Sequence, residues 1–129
     1  MVRICSRRTA CIVLTLLAIL VSPAVRAYPT RPITIIVPQP AGSASDNVVR
    51  PIAQVLAELL GQPVVIENRG AAAGLVGMGQ AARAEPDGHT LVVVSNTTLA
   101  ANPSLYRKLP YDPERDFAPI AILGRTSMM

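Results

Sequence analysis

The sequence predicts an α/β fold, a mainly parallel sheet with helices on both faces. Three observations lead there. Short apolar runs rich in β-branched residues recur at 33–37, 64–66 and 90–95. Segments with helical spacing of apolar residues separate them, at 47–60 and 75–84. The runs are continuous rather than alternating, the mark of strands buried on both faces. A β-α-β-α-β order then calls for parallel strands joined by helical crossovers, expected to be right-handed.

The first strand, 33–37, lies between Pro32 and Pro38. The helix after it carries Val48, Ile52, Val55, Leu56, Leu59 and Leu60 at the 3.6-residue period, with Gly61 placed as its C-cap. Pro51 removes the N–H that would reach the Asn47 carbonyl, so an irregular first turn or a later start is expected. The second strand, 64–66, leads through a Gly- and Ala-rich loop into a short helix over 75–84, which Pro86, Asp87 and Gly88 stop. Its small residues allow close approach to a sheet. The third strand is expected over 90–95. Beyond it, prolines 103, 110 and 113 punctuate an irregular stretch, and 117–123 reads as one further strand, demoted to an edge by Pro119.

Residues 1–27 have the anatomy of a secretory signal peptide. Arg3, Arg7 and Arg8 precede an apolar run from Cys11 to Val21, and Val25 and Ala27 are small residues at −3 and −1 of the expected cleavage point. A run of about eleven residues is short of the roughly twenty a membrane span needs. The mature protein is expected to begin at Tyr28, in a periplasmic space. Of twelve basic residues, Arg3, Arg7, Arg8 and Arg26 precede Tyr28, leaving eight to balance eight acidic ones. The net charge of +4 therefore belongs to the leader, and a nucleic-acid-binding role loses its support. Both cysteines, Cys5 and Cys11, are also in the leader, so the mature chain has neither disulfide nor thiolate metal site.

In open parallel sheets, ligands bind at the carboxyl ends of the strands. Three loops qualify here: 38–46, 68–74 and 95–98. All are short of bulk and rich in Gly, Ala, Ser, Thr and Asn. Small residues let a ligand reach main-chain N–H groups, and a helix start holds a carboxylate without needing a lysine. Hydroxyls of Ser43, Ser45, Ser95, Thr97 and Thr98 and the Asn96 amide add donors. Ser45 and Asp46 are equally typical helix caps. No nucleotide-phosphate motif, nucleophile elbow or paired histidine occurs. No cofactor or metal is expected, His89 is assigned to a surface turn, and no residue presents itself as a catalyst.

A resemblance becomes specific at this point. Residues 28–33 (Tyr-Pro-Thr-Arg-Pro-Ile), Ile36-Val37-Pro38 and Pro40 and Gly42 with Asp46 resemble the mature start of the tripartite tricarboxylate transporter substrate-binding proteins, the Bug family. Residues 60–69, Pro86-Asp87-Gly88, Thr90-Leu91, 102–106, 109–113 and 116–119 continue the likeness in register. The resemblance implies a periplasmic-binding-protein type II-like fold, of which 28–129 is an incomplete first lobe. It implies a receptor that captures a small carboxylate (a di- or tricarboxylate, an amino acid or an aromatic acid) for membrane permease subunits. Carried over, the ligand contacts fall on Pro40, Ala41, Gly42, Ser43, Ala44, Ser45 and Asp46, then on Ser95, Asn96, Thr97 and Thr98, with the 70–74 loop as a third candidate. The family's first loop usually reads Pro-Gly-Gly where Ala41, Gly42 and Ser43 stand. Its second loop usually continues Asn-Arg-Pro-Gly against Asn68-Arg69-Gly70-Ala71, and a tyrosine usually occupies the place of His89. Members are about twice this length or more, a two-domain size. Binding by this segment alone is therefore expected to be weak. Set against the receptor reading are a truncated remnant without a transport role and a small periplasmic interaction module; an enzyme comes last.

Overall fold

The computed structural model describes residues 28–125. The expected signal peptide, 1–27, lies outside the described residues. Three parallel strands form one sheet in the order β2-β1-β3, with β1 Ile33–Val37, β2 Val64–Asn68 and β3 Thr90–Val92. Two helices connect them, α1 Ala44–Leu60 and α2 Leu75–Ala82. A π-helical stretch, Thr97–Ala101, and the single turn α3, Asn102–Leu105, follow.

Alternation along β1 explains how both faces are covered. Ile35 and Val37 share one face and pack with Val49 and Ala53 of α1, bordered by Val64, Ile66, Leu91 and Val93. Ile36 points the opposite way and is buried too. The element that contacts β1 and β3 there is α2, whose Gly77, Met78 and Gly79 are buried. A Cβ on Gly77 would lie 3.0 Å from the Pro38 side chain, so the glycine sets the close approach. The parallel α/β lobe predicted from the apolar runs is the fold observed.

Strand β2 runs two residues past the expected 64–66, to Asn68, and α2 stops at Ala82 rather than 84; three further differences each have a local reason. Helix α1 starts earlier than either alternative for Pro51 allowed. Ser43, rather than Ser45, is its N-cap, accepting the Asp46 N–H on Oγ at 3.3 Å, and the helix runs through the exposed Pro51. Gly61 caps its end as expected, at φ 64°. Strand β3 stops at Val92 because its ladder with β1 runs out of donors. Thr34 N–H bonds the His89 carbonyl at 2.8 Å, and two residues per step bring the sequence to Pro38, which has no N–H. Val93 makes one last bond to Ile36 O, and the Ser95 N–H turns instead to Thr98 Oγ1 at 3.0 Å. The strand expected at 117–123 does not form; Ile120 and Ile122 are exposed, and Pro119 withholds a donor.

His89 is a correction as well. It is buried, only 6% exposed, not on a surface turn. Its Nε2 accepts the Thr30 N–H at 3.3 Å, which places the ring proton on Nδ1, 3.4 Å from Asp87 Oδ1. Tyr28 stacks edge-on against it at 5.1 Å and donates its hydroxyl to Gly88 O, while Arg31 pairs with Asp87 at 2.6 Å. Residues 28–31 thus clasp the turn that starts β3. Among the described residues no helix is long and apolar enough to cross a membrane.

Candidate functional site

The loops after all three strands meet at the carboxyl edge of the sheet. They line one cleft of about 180 Å³, walled by Pro38, Gln39 and Pro40 from the first loop, Gly70, Ala73 and Gly74 from the second, and Ser95, Thr97 and Thr98 from the third. Among the described residues no charged side chain lines it. The strand order explains the convergence: chain leaves central β1 toward β2 and crosses back to β3 on the other side, which opens a crevice at the strand ends.

The contact between the first two loops depends on glycine. A Cβ on Gly70 would lie 2.6 Å from the Pro40 nitrogen, and one on Gly74 2.8 Å from the Pro38 carbonyl oxygen. Gly74 also sits at φ 84°, preceded by Ala72 and Ala73 at φ 51° and 54°. Each alanine held in this left-handed region costs about 1 kcal/mol. No side chain caps the start of α2 that follows, or the start of the π-helical stretch after Asn96.

Of the residues selected from sequence, Pro40, Ser95, Thr97 and Thr98 line the cleft, and Asn96 lies between two that do. Ala41, Gly42, Ser43, Ala44, Ser45 and Asp46 are not among its walls. They form the capped start of α1, where the Gly42, Ser43, Asp46 and Asn47 N–H groups are already bonded. The fully buried Asp46 accepts the Gly42 N–H at 2.8 Å, Arg50 Nε at 2.9 Å and Asn68 Nδ2 at 3.0 Å. These bonds, the Gly42 amide foremost, hold its carboxyl down at about 2 from an ordinary 3.8, with burial opposing. Asn68 also donates to Gln39 O at 3.4 Å, so the cluster braces the first wall from behind.

The residues chosen from sequence do not include Pro38 or Gln39, and Gly70, Ala73 and Gly74 belong to the loop placed third; their contacts lie between loops distant in sequence, where local spacing carries no signal. Thr98 is fixed from two sides, its Oγ1 bonded within the turn to Ser95 and its carbonyl accepting the Tyr111 hydroxyl. The Ser95 Oγ is buried with no partner. Among the described residues there is no group of three or more His, Cys, Asp or Glu placed to hold a metal.

A parallel α/β lobe with a cleft of small residues across its strand ends is the architecture of a ligand-binding lobe. The chain belongs to the family described as the tripartite tricarboxylate transporter family receptor, which matches residues 48–129. That is a family of receptors rather than enzymes. Protein BugT of Bordetella pertussis is 41% identical over 98 residues, 75% of this chain and 30% of BugT. Among solved structures, MatC from Rhodopseudomonas palustris with bound malate is 43% identical with a TM-score of 0.70, over 74% of this chain and 33% of MatC. An R. palustris protein with adipate is 36% identical with a TM-score of 0.64, over 67% of this chain and 29% of that one. The chain spans about a third or less of the length of these relatives.

Proposed function

We propose that this chain supplies one wall of an extracytoplasmic receptor site for a small carboxylate, which is captured unchanged for delivery to membrane permease subunits. The observation that carries this is the convergence of three strand-end loops on one uncharged cleft. A carboxylate placed there would be met by helix-start N–H groups, through their partial positive charge, and by the Ser95 and Thr97 hydroxyls. The absence of charge among the cleft's lining residues favours a ligand held by oriented dipoles over one held by an ion pair. Asp46 would act on the shape of the first wall, its charge already matched by Arg50. The malate and adipate seen in two relatives make dicarboxylates the first class to test.

The size of the cleft supports a half site. Complete small-molecule pockets enclose about 300 Å³ or more, against about 180 Å³ here. Receptors of this architecture close two lobes around the ligand, so one lobe would bind at Kd of about 1 mM, worth about 4 kcal/mol. Calorimetry of the chain with malate and adipate checks this. Saturable heats at millimolar concentration, above those from sodium sulfate at equal ionic strength, are expected; identical heats with sulfate overturn the carboxylate reading.

A further inference from the structure

We propose that Asn102 is a positioning residue of the cleft, its side-chain amide clamping the left-handed Ala72-Ala73 turn that forms one wall. Only the ligand arm of the test below rests on the carboxylate reading. Two consecutive alanines at positive φ, 51° and 54°, need an outside restraint, because their Cβ atoms crowd the backbone there.

The restraint comes from 29 residues away. Asn102, 1% exposed, donates from Nδ2 to the Ala73 carbonyl at 3.2 Å. That carbonyl shares a rigid peptide plane with the Gly74 N–H, which bonds Ala71 O at 3.1 Å. Both ends of the plane are therefore held, one by the turn itself and one by Asn102. Thr98, from the same helical segment, braces the next residue, with Cγ2 3.0 Å from where a Gly74 Cβ would lie. Among the described residues Asn102 Oδ1 has no partner, so the side chain's one hydrogen bond there is the donation to Ala73. A residue present only to fill space would not need that donor. Ala73 and Gly74 both line the cleft, so the clamp sets the wall from which α2 begins.

Nuclear magnetic resonance on the isotopically labelled chain tests this. Positive φ brings an alanine's amide proton close to its own Hα, so Ala73 should give a strong intraresidue HN–Hα cross-peak. Asn102→Ala should weaken that peak to the level of right-handed residues and lower malate affinity about tenfold. Glycine holds the left-handed region unaided, so the double variant A73G/N102A should stay within about threefold of the parent. An unchanged Ala73 peak in N102A, or a double variant as impaired as N102A, overturns the clamp. The unmodified chain gives a reading that needs no variant: cross-peaks from the Asn102 side-chain amide to Gly74 are expected, and their absence also overturns it. Failure of the parent chain to take malate would sink the carboxylate reading, while the Ala73 peak still decides the clamp.

Discussion

Asp46 and Asn68 meet at 3.0 Å, carboxylate to side-chain amide, and join the first turn of α1 to the last residue of β2. Asp46, in the loop that sequence alone selects as the ligand contact, is thereby turned inward and holds that loop in place, while Ala41, Gly42 and Ala44 stay exposed. The wall it presents to the cleft is the short Pro38–Pro40 approach instead.

Acid stability should report this brace. The Asp46 carboxyl is lowered in the fold from 3.8 to about 2, chiefly by the Gly42 N–H, and Asp87 is lowered to about 2 by the His89 N–H and Arg31. A lowered carboxyl binds fewer protons folded than unfolded. Its stabilisation is full above about pH 4 and drains away as pH falls toward 2. Urea midpoints measured across that range should drop steeply for the parent and less for D46N, which starts from a lower value at pH 7. Parallel curves for the two proteins would contradict the brace.

Gly70→Ala should destabilise by about 1–3 kcal/mol, because the new Cβ meets Pro40 backbone rather than a side chain that can swing aside. Gly124→Ala is the control, since nothing lies within 4 Å of its Cβ position. Equal denaturation midpoints for both variants would contradict the contact between the first two loops.

Ala73→Gly should stabilise by about 0.5 kcal/mol. Relief of a left-handed alanine is worth about 1 kcal/mol, and the greater freedom of glycine in the unfolded chain takes back part of it. Denaturant unfolding measures the net sign, and a loss of stability would argue against the turn geometry.

Pro51→Ala should stabilise by about 1 kcal/mol or more. The proline lies inside α1, is exposed, and withholds a hydrogen bond from the Asn47 carbonyl. A loss of helix signal in circular dichroism would contradict this.

Much of the fold was legible because apolar period and buried strands are one physical fact. Ile33–Val37 read directly, as did a helix in α1 and its Gly61 cap, but the buried face of that helix runs through Val49 and Ala53, while Val48, Val55 and Leu59 of the expected stripe are exposed. What escaped were features set by a partner distant in sequence. The end of β3 is decided by Pro38, 54 residues before Val92, through a donor that β1 lacks. His89 is buried because Tyr28 and Thr30 fold back on it. The cleft was legible as three loops but not as particular walls. Gly70 and Gly74 matter through Pro40 and Pro38, and Asp46 is removed from the surface by Asn68. None of these pairings is visible in local spacing.

Amide shifts of the labelled chain during a malate titration decide whether the three strand-end loops receive a carboxylate. Saturable changes are expected at Gly70, Ala73, Gly74, Ser95, Thr97 and Thr98, with the 42–46 segment moving less. Changes centred on the 42–46 segment, or none beyond those given by sulfate at equal ionic strength, would contradict that expectation.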